Sequence, residues 1–123
     1  MDTGALGRVY KDGEIIVREG DVGDCMFVIQ EGDVEILCDD NGEEIHIATR
    51  HTGDFIGEMA IFDRDVRSAT VRAKGDVRIL TVDKKNFMSR IHEDPSLAFR
   101  IVETMSYRLR ELQAEYTKLV ENK

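Results

Sequence analysis

Three things are scarce in this sequence: cysteine, long apolar runs and positive charge. Its two cysteines, Cys25 and Cys38, have neither the CxxC spacing nor the neighbouring histidines of a redox or metal site. We therefore expect two buried, reduced thiols in a cytosolic chain. The apolar runs, such as Ile15-Ile16-Val17, span only a few residues. Runs that short exclude a transmembrane helix and the apolar core of a secretory signal.

Positive charge is outnumbered, because 17 Lys and Arg face 25 Asp and Glu, for a formal net charge of -8. A nucleic-acid-binding surface needs clustered Lys and Arg, and the sequence has no such cluster, so we expect no nucleic-acid partner. A small anion can still bind, because bulk charge is screened beyond roughly 8 Å at physiological salt. Binding of such an anion depends on the hydrogen-bond donors close to it. The length of 123 residues suits one domain with a single core.

The chain up to about Asp83 consists of short apolar segments separated by turn residues. These segments are 14–18, 26–30, 34–38, 44–49, 69–73 and 77–82. Val34, Ile36 and Cys38 alternate as in a half-buried strand. Asn41-Gly42 can take positive φ and predicts a hairpin into the next segment. Frequent glycines between the segments predict a compact antiparallel barrel or roll.

Beyond Asp83 the pattern becomes helical. Residues 84–91 predict a short helix, and Asp94-Pro95 provides an N-cap followed by proline at the first helical position. The following helix can run to about Val120. Its apolar residues are spaced 3, 4, 3, 4, 3, which is a heptad seam that indicates a homodimer. Packing of the same stripe on the barrel is the alternative. The seam consists of Val102, Met105, Leu109, Leu112, Tyr116 and Leu119.

The segment from Phe55 to Val71 carries the chemistry. Gly57 allows the backbone to come close to a ligand. The start of a short helix after it offers N–H groups to an anion. Arg67 supplies a charged fork of donors for phosphate oxygens, and Ser68 adds a hydroxyl. Glu58 is repelled by phosphate and suits a sugar hydroxyl. The alternatives are that Arg67 pairs with a surface acid, Asp63 or Asp65, and that Glu58 merely stabilises a helix start.

The sequence resembles the cyclic-nucleotide-binding domain family over nearly its whole length. The resemblance rests on segments 13–16, 19–21, 23–29 and 32–34, which look like the family's strand corners. It rests above all on segments 53–58 and 67–71, which look like its phosphate-binding cassette. The resemblance implies a mainly β fold, an antiparallel β-roll or jelly roll, followed by a short helix and a long C-terminal helix. One domain would cover 1–123, with the roll in 1–83, the cassette in 57–70 and a helical lid or dimerisation segment in 84–123.

The resemblance also implies the roles of individual residues. Glu58 would meet the ribose 2′-hydroxyl, and Arg67, Ser68 and the Ala69 N–H would meet the cyclic phosphate. Aligning the final helix with that of the family places Leu112 and Gln113 at the base, although Leu112 also lies in the heptad seam. The implied ligand-binding set is Gly57, Glu58, Met59, Ala60, Arg67, Ser68, Ala69, Leu112 and Gln113.

We therefore predict a non-enzymatic sensor that binds a cyclic nucleotide and signals through its last helix. Ser68 favours cyclic AMP over cyclic GMP, since a threonine at that place accompanies cyclic GMP in the family. The chain is a stand-alone sensor or one module of a longer protein. The alternative is a degenerate domain that keeps the fold and the dimer but binds another ligand or none.

An enzyme of the cupin kind, which shares the jelly-roll shape, is the competing class. Metal cupins need a His-x-His pair followed by Glu, whereas His46 and His51 are separated by four residues and His92 stands alone. On one strand, positions 46 and 51 would point to opposite faces, because their separation is odd. We therefore expect no metal site, no cofactor besides the nucleotide ligand, and no catalytic residue.

Overall fold

The computed structural model describes residues 7–62 and 65–122, with the side chain of Asp65 left out. The chain forms two compact units, one through Phe87 and one from Met88, which are described separately below. The strands are β1 (Arg8–Tyr10), β2 (Ile15–Val17), β3 (Val22–Gly23), β4 (Cys25–Asp40), β5 (Glu43–Arg50), β6 (Phe55–Ile56), β7 (Asp65–Val66) and β8 (Thr70–Asp83). The helices are α1 (Met59–Phe62), α2 (Lys84–Glu93) and α3 (Ser96–Glu121).

The two longest strands, β4 and β8, form the antiparallel spine of the first unit. Their pairing runs from Cys25 opposite Asp83 to Leu37 opposite Thr70. Strands β1 and β2 pair with β8, and β5 and β6 pair with β4. A separate ribbon joins β3 to β7, with Val22 opposite Val66. The predicted antiparallel β fold with C-terminal helices is confirmed.

Four of the predicted segments merge into two continuous strands. Segments 26–30 and 34–38 are both parts of β4, and segments 69–73 and 77–82 are both parts of β8. The pairing of β4 with β8 is irregular between these segments, because its register shifts on both sides of Glu31. Gly32 and Gly75, with φ of 100° and 76°, lie at these points. The glycines therefore bend the two strands together where the sequence pattern suggested turns.

The hairpin between β4 and β5 follows the prediction. Asn41 and Gly42 have φ of 55° and 87°, as a two-residue turn of type I′ requires. Next to the hairpin, Arg72 of β8 donates to Glu35 of β4 at 2.9 Å and to Glu44 of β5 at 2.8 Å. These hydrogen bonds raise the pKa of Arg72, and the bond with Glu35 has the largest effect. One guanidinium thus joins three strands.

The core of the first unit lies on the inward faces of β4 and β8. Ile29 and Val34 are fully buried, and Ile79 is almost so. The burial pattern of β4 does not alternate strictly, since Met26 to Ile29 are buried consecutively. Part of this run pairs with β6 as well as with β8, so it has neighbours along both edges. Cys25 and Cys38 are free thiols, but they are half-buried, not buried as predicted. Both lie near the ends of the paired part of β4, where cover from neighbouring strands is incomplete.

The second unit consists mainly of α3, which has 26 residues. Pro95 occupies the N-cap position, so the helix begins one residue later than predicted. Asp94 still stabilises the start, because its carboxylate accepts the Ser96 N–H at 3.2 Å. The Ser96 hydroxyl also donates to this carboxylate at 2.5 Å, and that side-chain bond is the main reason that the pKa of Asp94 is lowered. No helix among residues 7–62 and 65–122 combines the length and apolar character needed to cross a bilayer.

Replacement of Ile29 by Ala tests the assigned core. Ile29 has 0% exposure, and emptying such a site costs about 2–5 kcal/mol of the free energy of unfolding. Ile47→Ala is the matched control, because Ile47 is 55% exposed and surface changes usually stay within about 0.5 kcal/mol. Urea unfolding followed by circular dichroism measures both. Equal losses in the two variants would contradict the assigned core.

Candidate functional site

The Arg67 backbone is fixed by the loop that joins β2 to β3. Its N–H donates to the Asp21 carbonyl oxygen at 2.7 Å, and its own carbonyl oxygen accepts the Gly20 N–H at 2.9 Å. These bonds continue the pairing of the β3–β7 ribbon by one step. The segment that carries Arg67 is therefore held against the turn after β2, and its side chain can turn back toward β4.

The guanidinium of Arg67 is half-buried and lies between two segments of the roll. Its Nη2 donates to the Cys25 carbonyl oxygen at 2.7 Å, and its Nη1 donates to the Gly57 carbonyl oxygen at 3.3 Å. Its Cζ lies 5.3 Å from the ring centroid of Phe27, within the range of a cation–π contact. Two neutral carbonyls and an aromatic ring thus surround a full positive charge, so the guanidinium is suited to an anionic partner.

A cavity of about 350 Å³ adjoins Arg67. Its wall includes Ile16, Val17 and Phe27, which also belong to or pack against the hydrophobic core. The wall also includes the acidic residues Asp21 and Asp24, and Arg67 is the one predicted ligand-binding residue that lines it. Volumes of about 300–1,000 Å³ are typical of small-molecule sites. The arrangement can hold a compact ligand that carries one anionic group.

The predicted cassette begins at Gly57, which has φ of 73°. This backbone conformation favours glycine, and a Cβ there would lie 2.6 Å from Nη1 of Arg67, so any larger residue would also displace the guanidinium. In the turn that follows, the Ala60 N–H donates to Gly57 at 3.2 Å and the Ile61 N–H donates to Glu58 at 3.1 Å. These two N–H groups are thus occupied within the turn itself.

The structure brings Gly57 and Arg67 into direct contact and places the other predicted residues of the roll close to them along the chain. Glu58 and Ala69 are half-buried, Ser68 is exposed, and Met59 of α1 is 64% exposed. The side chain of Ala60 is buried. Leu112 and Gln113 lie exposed on α3, in the second unit. The alternative partners of Arg67 are not described: Asp63 and the side chain of Asp65 lie outside the described residues.

The contacts of the guanidinium with Cys25, Phe27 and Gly23 were not foreseen from the sequence. A backbone carbonyl such as that of Cys25 has no signature in the residue type, and Phe27 matches any apolar strand residue. Gly23 was counted only among the strand corners, yet it lies against the guanidinium. Its spacing from Arg67 along the chain gives no sign of this contact, because the β3–β7 pairing creates it.

The histidines make local contacts with polar side chains. His51 Nδ1 lies 2.8 Å from the Asp33 carboxylate, and His46 Nε2 lies 3.0 Å from the Thr49 hydroxyl. Within the part of the chain that the structure describes, no three His, Cys, Asp or Glu residues come together as metal ligands.

Comparisons with known proteins agree on one family. The cyclic nucleotide-binding domain model matches residues 7–94. The cAMP-dependent protein kinase regulatory subunit of Blastocladiella emersonii is 42% identical over 79 residues, 63% of this chain and 20% of that protein. The Thermus thermophilus catabolite activator protein superposes with a TM-score of 0.81 and 28% identity, covering 91% of this chain and 53% of that one.

The EAL enzyme Bd1971 also superposes, in two ligand states. Its cAMP-bound form gives a TM-score of 0.64 at 34% identity, and its cGMP-bound form gives 0.65 at 35%. Each comparison covers 85% of this chain and 28% of that protein.

A β-roll with an arginine held beside a cavity is the arrangement of a ligand-binding domain. The chain belongs to the cyclic-nucleotide-binding domain family, since the family model matches well over half of it. The matched range contains all the predicted ligand contacts except Leu112 and Gln113. The chain spans 20% of the length of the kinase regulatory subunit.

Proposed function

We propose that this chain is a cytosolic sensor that binds cyclic AMP in preference to cyclic GMP and reports it through α3. The observation that carries the proposal is the Arg67 guanidinium, held beside a cavity by the carbonyls of Cys25 and Gly57. It lies in the range that the cyclic-nucleotide-binding family model matches. The two free, half-buried thiols suit a reducing compartment.

The cyclic phosphate binds at Arg67. A guanidinium offers five N–H groups in a planar fork, and a charged acceptor forms a stronger hydrogen bond than a neutral carbonyl does. The phosphate therefore competes successfully for donors that now contact carbonyls or solvent. The exposed Ser68 hydroxyl and the Ala69 N–H follow directly in the chain and supply further donors to the phosphate.

Glu58 accepts from the ribose. It follows Gly57, whose carbonyl oxygen contacts Arg67, so the carboxylate lies one residue away from the phosphate site. Negative charge next to a phosphate is unfavourable, and a hydroxyl donor is the partner that the carboxylate can use. A ribose hydroxyl next to a cyclic phosphate satisfies both requirements.

The preference for cyclic AMP rests on Ser68 and on the relatives. The kinase regulatory subunit is named for its dependence on cAMP, whereas Bd1971 occurs with either nucleotide bound. The Ser68 hydroxyl has the same reach as that of a threonine but lacks the branch at Cβ that restricts χ1 and so fixes the direction of the hydroxyl. Leu112 and Gln113 contribute the contacts to the base from α3.

Arg67→Ala tests the phosphate site. Each charge-assisted hydrogen bond contributes about 1.5–3 kcal/mol, so we expect the affinity for cyclic AMP to fall roughly tenfold to several hundredfold. Calorimetric titration of ligand-stripped protein with cyclic AMP and cyclic GMP gives both affinities and their ratio. The matched control is Arg8→Ala, because Arg8 is exposed and contacts the Tyr10 ring in β1.

Two outcomes would count against this site. No heat from either nucleotide with the folded wild-type protein would favour the degenerate domain that keeps the fold and binds another ligand. Equal losses in the Arg67 and Arg8 variants would assign the effect to charge in general. Tighter binding of cyclic GMP would overturn only the base preference.

The apolar stripe of α3 serves a second copy of the chain. Its exposed members are 61–68% accessible, and Met105 is half-buried. A 3-4 repeat of such residues over five intervals is the pattern by which two helices pack in a coiled coil. The exposed members are Val102, Leu109, Leu112, Tyr116 and Leu119.

Leu109→Asp tests the homodimer. An unpaired carboxylate in the seam is buried on association, so we expect the dissociation constant to rise at least tenfold. Sedimentation equilibrium measures it for the full chain. Ala114→Asp adds the same charge on the opposite, exposed side of α3 and leaves the dimer intact. A wild-type protein that sediments as a monomer at tens of micromolar would refute the proposal.

Ligand binding changes the amide exchange of α3. The predicted contacts of Leu112 and Gln113 with the base couple this helix to the ligand, so we expect slower exchange in residues 96–120 with saturating cyclic AMP. Hydrogen–deuterium exchange with mass spectrometry measures the change, and Arg67→Ala at the same nucleotide concentration provides the control. Identical exchange with and without bound nucleotide would show that the signal takes another route.

A further inference from the structure

We propose that Gly23 and Phe27 are positioning residues that form a slot for the Arg67 side chain and set the affinity of the phosphate site through that side chain. The inference rests on the function proposed above. It concerns residues to which neither the sequence pattern nor the predicted contacts give a role in binding.

The backbone does not explain why position 23 is a glycine. Gly13, Gly20, Gly32, Gly42, Gly53, Gly57 and Gly75 have positive φ, which accounts for each of them. Gly23 is not in this group: it lies in β3, opposite Asp65 of β7. Glycine weakens a strand relative to other residues, so its presence there calls for another cause.

The side chain of Arg67 supplies that cause. A Cβ built on Gly23 would overlap Nε, Cζ and Nη2 of Arg67. The obstacle is the end of a flexible side chain, so Gly23→Ala is compatible with the backbone but incompatible with the guanidinium where it now lies. Gly7 differs, because a Cβ there would overlap the backbone of Ile79.

Phe27 provides an apolar surface for the same group. Its ring is 8% exposed and belongs to the core cluster, so its position is fixed by packing. The Arg67 Cζ lies 5.3 Å from the ring centroid. An aromatic face attracts the cation without occupying any of its N–H groups. Phe27 therefore holds the guanidinium in place while the donors stay available to the ligand.

The slot raises the affinity for a phosphate because the donors are already oriented when the phosphate binds. An arginine side chain has several rotatable bonds, and ordering it upon binding lowers affinity. Gly23, Phe27 and the two carbonyls order it in advance. Loss of the slot leaves the charge in the cavity region but removes the fixed direction of its fork.

The test is a double-mutant cycle on the full chain, with cyclic AMP binding measured by calorimetry. We expect Gly23→Ala to weaken binding at least about tenfold, the effect of one misplaced charge-assisted bond. In the Arg67→Ala background, Gly23→Ala should change the affinity less than twofold, because the group it displaces is gone. Phe27→Leu should behave in the same way, and Phe27→Tyr, which keeps the ring, should bind within about twofold of wild type.

A glycine outside the slot provides the matched control. Gly42→Ala meets open space but strains a positive φ, so it should lower the melting temperature and leave the affinity unchanged. Gly23→Ala should show the opposite combination, a retained melting temperature and a lost affinity. Tight binding by folded Gly23→Ala, or losses that add in the cycle, would overturn the inference.

A second readout separates this inference from the proposed function. The Nε–H resonance of Arg67, assigned by its disappearance in Arg67→Ala, reports the guanidinium environment without any ligand. We expect Gly23→Ala to shift it and Gly42→Ala to leave it unchanged. If wild-type protein binds no cyclic nucleotide, the proposed function fails, but the resonance still tests the slot. A shift of the Arg67 Nε–H resonance in Gly23→Ala supports the slot, and an unchanged resonance refutes it.

Discussion

The hydrogen bond from Arg67 Nη2 to the Cys25 carbonyl oxygen connects the predicted cassette to the start of the longest strand. The same guanidinium reaches the Gly57 carbonyl, so one side chain joins both ends of the cassette to β4. The pairing of β4 with β8 fixes Cys25 opposite Asp83, and the β3–β7 ribbon brings Gly23 beneath the arginine. The site therefore depends on strand register more than on any contact among the cassette residues themselves.

The proposed phosphate contact is compatible with a net charge of -8, because the interaction is local. The immediate partners of the guanidinium are neutral carbonyls and an aromatic ring. Neutral carbonyl acceptors form weaker hydrogen bonds with a guanidinium than an acceptor with a full charge does. A carboxylate in the same position would compete with the ligand far more strongly, since it would form an ion pair.

Local patterns made part of the molecule predictable. Asn41-Gly42 encodes its turn through its own φ preferences, and the apolar periodicity of α3 is a property of a single segment. The continuity of β4 across Gly32 was not predictable, because glycine suits both a turn and a bend within a strand. The same limit applies to the site: Gly57, Glu58 and Arg67 form a motif along the chain, whereas Gly23 reaches Arg67 only through strand pairing.

Leu112 is assigned two roles that compete. As a member of the 3-4 seam it points toward a partner helix, while the alignment with the family places it at the base. Gln113 is rotated by about 100° around α3 relative to Leu112, so the two side chains do not share a face. In a dimer the apolar contact favours Leu112 in the seam, where its exposed surface is buried. Gln113 flanks the seam and carries both a donor and an acceptor, which a purine edge can use. For the proposed dimer and the proposed base contact, both requirements are met when Leu112 lies in the seam and Gln113 meets the base.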